Sequence, residues 1–94
     1  MDIAEISDRM EIEKLVIDYA TAVDTKNFQE FNNLFTKDAH IDYTEVGGIA
    51  GNLQEIIKYL ETALDHFPNY QHLISNISLT LNGNSASGKV MCFN

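Results

Sequence analysis

The chain of 94 residues carries 14 Asp and Glu against 6 Lys and Arg, a formal charge of −8, and hydrophobic residues make up 45% of it. The few, scattered basic residues exclude nucleic acid and an anionic membrane surface as partners, since both are held chiefly by Lys and Arg. The apolar fraction, with only one Pro and five Gly, excludes a disordered chain and leaves one globular domain over residues 1–94.

The first segment opens with Asp2 followed three residues later by Glu5, a pair that can satisfy backbone donors at the start of a helix. Ile12, Leu15, Val16, Tyr19, Ala20 and Val23 then recur at spacings of three and four, which predicts a helix to about Val23 with one core-facing stripe. Asn27 with Glu30 repeats the capping pattern before a short helix, with Phe28, Phe31, Leu34 and Phe35 on one side. Ala39, Ile41 and Tyr43 alternate with His40, Asp42 and Thr44, the period of two of a half-buried strand. Gly47-Gly48 permits a turn, and residues 49–51 read as a short returning strand.

Asn52 with Glu55 caps a third helix, in which Leu53, Ile56, Ile57, Leu60 and Leu64 form a strong apolar face until His66-Phe67-Pro68 stops it. Residues 70–81 are β-branched and alternating, Asn82-Gly83-Asn84 makes a turn, and residues 85–93 begin another strand. The order α-α-β-β-α-β-β predicts an α+β domain, its helices packed on one face of a curved, mainly antiparallel sheet. The final strand leaves a sheet edge that must be covered or paired. A partner chain, or further sequence beyond Asn94, would serve equally.

Cys92 is the sole cysteine, so no internal disulfide can form and a site built of several thiolates is excluded. A cytoplasmic location is the expectation. No apolar run approaches the ~20 residues of a membrane helix. No spacing of His, Cys, Asp or Glu resembles a metal site, and no glycine fingerprint for a phosphate accompanies Gly47-Gly48, so no cofactor is expected.

Taken together, Tyr19-Ala20 with Val23-Asp24, Leu34-Phe35-Thr36-Lys37-Asp38-Ala39, Ile41-Asp42-Tyr43, Gly51 before the third helix, Gln71-His72 and Asn82-Gly83-Asn84-Ser85-Ala86 form a recognisable set. The chain resembles the SnoaL-like branch of the nuclear transport factor 2-like (NTF2-like) superfamily, whose relatives include scytalone dehydratase, ketosteroid isomerase and polyketide cyclases. The resemblance implies a cone-shaped α+β barrel with a hydrophobic ligand cavity at its open end, usually in a homodimer. Members usually continue through further strands, so this chain reads as such a domain lacking its last strands.

The resemblance also implies site residues. In the ketosteroid isomerase pattern Tyr19 matches a tyrosine that donates to a developing enolate, but Tyr43 stands where a carboxylate base is required. A tyrosine, with a reference pKa of about 10, cannot replace that base. In the scytalone dehydratase pattern Asp24, Tyr43 and His72 all match catalytic residues, while Val23 and the apolar residues around Val90 and Met91 stand where a second tyrosine and a second histidine belong.

The chemistry of the residues agrees with the second pattern. A histidine near its reference pKa of about 6.5 can take and return a proton, an aspartate can orient it, and a tyrosine hydroxyl can polarise a carbonyl. Each has a plainer reading beside it: His72 as a satisfied histidine on a half-buried strand, Asp24 as a helix-terminal turn residue, and Tyr43 as core. Tyr19, on the apolar stripe, reads as core more readily than as site. Asn76 shares a strand face with His72 if no bulge intervenes, and would line the cavity with Tyr19.

These residues lead to a cofactor-independent lyase or isomerase of dehydratase type, with His72 as acid and base, Asp24 as its orienter and Tyr43 as carbonyl polariser. The partner would be a small hydrophobic or aromatic-like cyclic carbonyl compound, and the assembly a homo-oligomer. The competing reading is a non-catalytic ligand-binding or association module of the same fold.

Overall fold

The computed structural model describes residues 2–63 and 73–93, with side chains described at all of these except positions 46, 73–75 and 91–93. The expected end of the third helix at Leu64 and His66-Phe67-Pro68, and the expected strand start at 70–72 with His72 itself, lie outside the described residues.

Helix α1 spans Ile3–Asp24, and the carboxylate of Asp2 caps it by accepting the Glu5 backbone N–H at 2.7 Å. Its apolar stripe is buried only over the last turns: Ala20, Ala22 and Val23 are core, whereas Leu15 is 42% exposed. The earlier turns pass alongside the C-terminal hairpin instead, where the Arg9 guanidinium donates to the Leu79 carbonyl at 3.4 Å.

The helix stops in a reciprocal pair of backbone bonds, Asn27 N–H to the Ala22 carbonyl at 2.8 Å and Lys26 N–H to the Val23 carbonyl at 3.1 Å. That closure is the Schellman arrangement, and it forces Lys26 to φ +58, a left-handed conformation more usual for glycine.

The second capping pair does not form as expected. Asn27 makes no side-chain cap; the segment enters as a 3₁₀ turn at Phe28–Glu30, and the Glu30 N–H is taken at 3.1 Å by the Asn27 backbone carbonyl. An i→i+3 turn consumes the donor that a capping side chain would have satisfied. Helix α2, Phe31–Leu34, follows directly.

Strand β1 is His40–Asp42 and pairs antiparallel with β2, Ala50–Asn52, with Ile41 opposite Gly51. Ile41 is buried while His40 and Asp42 are exposed, as the alternation requires. Tyr43 leaves the strand and begins a 3₁₀ turn over Thr44–Val46, though its side chain still packs on the core. Asp42 fastens that turn by accepting from the Thr44 N–H at 2.8 Å and the Thr44 hydroxyl at 2.6 Å.

Helix α3, Leu53–Ala63, starts in a complete capping box: the Asn52 side chain accepts from the Glu55 N–H at 2.9 Å, and the Glu55 carboxylate accepts from the Asn52 N–H at 3.0 Å. Leu53, Ile56, Ile57 and Leu60 turn inward and meet Phe28, Phe31, Ile41, Ala22 and Val23. Phe31 and Ile56 lie at the centre with no exposed surface.

Strands β3, Leu73–Asn82, and β4, Ser85–Phe93, form an antiparallel hairpin joined at Gly83-Asn84. Ile77, Leu79 and Leu81 are half-buried while Ser78 and Thr80 are exposed. The register shifts between Ser75 and Ile77, leaving Asn76 as an unpaired extra residue at φ +37. The class is α+β, but the described strands form two separate two-stranded sheets rather than the single curved sheet expected from the strand pattern. Short β1 and β2 follow the core of the helices, and the hairpin lies along α1 without bonding to them.

Candidate functional site

The structure brings together Tyr19 and Tyr43. Tyr19 stands one turn before the C-terminus of α1 on its core-facing side, and its ring meets Phe31 at a centroid distance of 5.3 Å and Phe35 edge-on at 6.1 Å. Tyr43 comes from the end of β1, continuing the inward alternation begun at Ile41. The two rings are half-buried, and their hydroxyls hydrogen-bond directly. The contrast between core and site therefore dissolves at Tyr19: its ring packs with the phenylalanines while its hydroxyl meets the candidate polariser.

A pair of hydroxyls has one property that a single tyrosine lacks. One donates to the other, and the acceptor keeps its own proton as a donor strengthened by the bond it receives. Burial, reinforced by the neighbouring Tyr19 hydroxyl, pushes the Tyr43 hydroxyl well above its ordinary value of 10.0. Tyr43 thus stays protonated across the physiological range. It cannot act as a base, in agreement with the failure of the ketosteroid isomerase pattern at this position, and it donates to a carbonyl oxygen in the arrangement in which it accepts from Tyr19 and keeps its own proton free.

Asp24 is the last residue of α1 and half-buried, at the end where the helix dipole disfavours a carboxylate. Five residues at about 100° each set it roughly 140° around the helix from Tyr19, so the two side chains leave α1 in different directions. Asn76 is exposed, and its bulge removes the condition under which alternation would place it with His72. His72 lies outside the described residues.

Tyr59 was absent from the sequence expectations, and its hydroxyl approaches Gly48. It is half-buried on α3 and packed on the core cluster. Its spacing of three from Ile56 was the available signal.

Described residues line two open concavities elsewhere. One of about 300 Å³ lies between the first half of α1 and the hairpin turn, bordered by Asp8, Glu11, Ile12 and Leu81. Another of about 330 Å³ lies on the hairpin around Ser78, Thr80 and Lys89. Neither borders Tyr19, Tyr43, Asp24 or Asn76. Among the described residues no group of three or more His, Cys, Asp or Glu is placed to hold a metal ion. Among the same residues no helix is long and apolar enough to cross a membrane.

The sequence pattern of the SnoaL-like domain matches residues 4–94. The chain belongs to the SnoaL-like domain family. This SnoaL-like domain is also 44% identical, over all 94 of its residues, to the uncharacterized proteins Rv2910c of Mycobacterium tuberculosis and Mb2934c of Mycobacterium bovis. It spans 64% of the length of each of these curated relatives. No solved structure matches it. Membership places the domain in the NTF2-like superfamily, whose α+β class agrees with the three helices and antiparallel strands described above.

Proposed function

We propose that this SnoaL-like domain is a cofactor-independent lyase or isomerase of dehydratase type, acting on a small cyclic carbonyl compound in a hydrophobic cavity. The observation that carries the reading is the hydroxyl pair of Tyr19 and Tyr43, held between α1 and the end of β1 on a wall of phenylalanine rings. Such a pair offers a protonated, partly desolvated donor to an oxygen that gains charge in the transition state.

In this reading Tyr43 polarises the carbonyl, His72 removes the adjacent proton and returns it to the departing hydroxyl, and Asp24 orients His72. Tyr19 backs Tyr43, and Asn76 borders the substrate. The cavity belongs to a cone-shaped barrel formed as one domain, and the assembly is a homo-oligomer. A cytoplasmic location goes with the reading and rests on the single cysteine.

The test is α-proton exchange of cyclic ketones in deuterated water, followed by NMR with the 94-residue chain. Tyr43→Phe is expected to lower the exchange rate by about 10²–10³-fold, as loss of one oxyanion donor does. His72→Ala should abolish the exchange. In a second measurement, Asp24→Asn should lower the apparent pKa of His72 by removing a nearby carboxylate. Full exchange in Tyr43→Phe, or an unmoved His72 titration in Asp24→Asn, would sink the assignment.

One observation favours the alternative of a non-catalytic association module. Ile3, Ile6, Met10 and Ile17 fall within one sector of α1 by helical spacing and are all exposed. Sedimentation and the exchange assay together separate the readings: an association module dissociates in Met10→Glu and shows no exchange even as wild type, while the enzyme reading requires exchange in the wild type.

A further inference from the structure

Tyr43 is held from behind at unusually close range. The loop from Tyr43 to Ile49 closes with two backbone bonds, Tyr43 N–H to the Ile49 carbonyl and Gly48 N–H to the Tyr43 carbonyl, both at 2.9 Å. This fold brings Gly48 against the stem of Tyr43. A Cβ at position 48 would lie 2.8 Å from the Tyr43 Cβ, 3.1 Å from the Tyr43 carbonyl oxygen and 3.2 Å from the Tyr59 hydroxyl.

The shortest of these contacts is one that real Cβ atoms do not make. It could not be relieved by a flexible side chain swinging away, because the atom struck is the root of the tyrosine and the next is its own backbone. Relief must move the Tyr43 stem or the Gly48 backbone that the Gly48–Tyr43 hydrogen bond ties to it. The ring is rigid, so a displacement at Cβ is carried to the hydroxyl, where hydrogen bonding is lost steeply with angle.

We infer that Gly48 is a positioning residue: the absence of a side chain there, with the Tyr59 hydroxyl as the facing wall, aims the Tyr43 hydroxyl at that of Tyr19. The inference rests on the reading of Tyr43 as carbonyl polariser for its functional meaning, but not for its geometry. Neighbouring Gly47 supplies the control. It has φ +83, yet a Cβ there would meet nothing within 4 Å, so Gly47→Ala strains the same turn without touching Tyr43.

The experiment uses the 94-residue chain labelled with ¹³C at the tyrosine ζ carbons, with Tyr19 and Tyr43 assigned by their loss in Tyr19→Phe and Tyr43→Phe. In Gly48→Ala the Tyr19 resonance is expected to move to the position it takes in Tyr43→Phe, while Gly47→Ala leaves it at the wild-type position. A Tyr19 resonance unmoved in folded Gly48→Ala overturns the inference, as does an equal shift in Gly47→Ala.

Should Gly48→Ala not fold, a Tyr43→Gly background removes the carbon that the added methyl strikes. The double variant is then expected to unfold in urea close to Tyr43→Gly alone, and a further large loss when Gly48→Ala is added to a folded Tyr43→Gly refutes the steric account. The exchange assay is read separately. If Tyr43→Phe keeps full activity while the resonance moves as expected, the catalytic reading falls and the positioning of Tyr43 by Gly48 stands.

Discussion

Lys26→Gly should be more stable than Lys26→Ala. Lys26 occupies φ +58 because the end of α1 closes through the Asn27–Ala22 and Lys26–Val23 backbone bonds, and those bonds need a left-handed residue between them. A side chain in that conformation costs roughly 1–2 kcal/mol, which glycine avoids. Glycine also has greater freedom in the unfolded chain, which takes back about 0.4–1 kcal/mol. The net expectation is that Lys26→Gly exceeds Lys26→Ala by about 0.5–1 kcal/mol, or roughly 2–8 °C in Tm for a domain of this size.

Urea unfolding followed by circular dichroism gives the comparison, with the slope of the transition checked to be unchanged so that the midpoint reports stability. Lys26→Ala is the reference, because alanine bears the same left-handed cost as lysine and removes the same side-chain interactions as glycine does. A glycine variant no more stable than the alanine variant would refute the reasoning, since strain at φ +58 is the one property by which the two substitutions differ in the folded state.

Phe31→Ala, at the centre of the aromatic group and with no exposed surface, should cost about 3–5 kcal/mol in the same assay. Asn52→Ala removes the acceptor of the Glu55 N–H and should cost about 1 kcal/mol. Thr44→Val addresses the pH dependence. The Thr44 hydroxyl and N–H hold the Asp42 carboxyl below its ordinary value of 3.8, so the folded state favours the ionised form. That contribution is present above the unfolded value and is lost as pH falls through the depressed folded one. The wild type should therefore exceed Thr44→Val at neutral pH, and the difference should shrink as pH falls below about 4 in paired urea titrations.

What could be read from the residues alone divides by range. The Asn52–Glu55 box was legible because both partners sit within one turn and only helix entry was needed to join them. The same spacing at Asn27–Glu30 misled, because the chain enters there through a 3₁₀ turn and its own backbone takes the donor. Strand alternation placed Ile41 and Tyr43 inward correctly, and it lost its force at Asn76, where one inserted residue resets the parity. The stripe on α1 overstated burial because periodicity shows which side of a helix is apolar and not how far along it the core extends; Leu15 is on the stripe and outside the core.

The contact between Tyr19 and Tyr43 joins residues 24 apart and depends on how α1 settles against β1. The resemblance named both tyrosines, but for different patterns, and no local signal paired them. Spacing signalled only core for Tyr59 and only a turn for Gly48, for the same reason. Their importance lies in what they approach, and spacing along one element carries no information about approach from another.

All the core residues described lie between Ala20 and Leu60, a window in which the connections are the short segments at 25–27, 35–39 and 43–49. Closing such loops costs little chain entropy, and each doubling of loop length adds only about 0.6 kcal/mol. The hairpin bonds to itself through the two-residue turn at Gly83-Asn84 and meets the rest of the chain along the exposed half of α1. The order of assembly follows from this separation. Residues 19–60 can condense first around Phe31 and Ile56 and bring Tyr43 to Tyr19 before the hairpin docks, so the hydroxyl pair depends on the helical core and not on the hairpin.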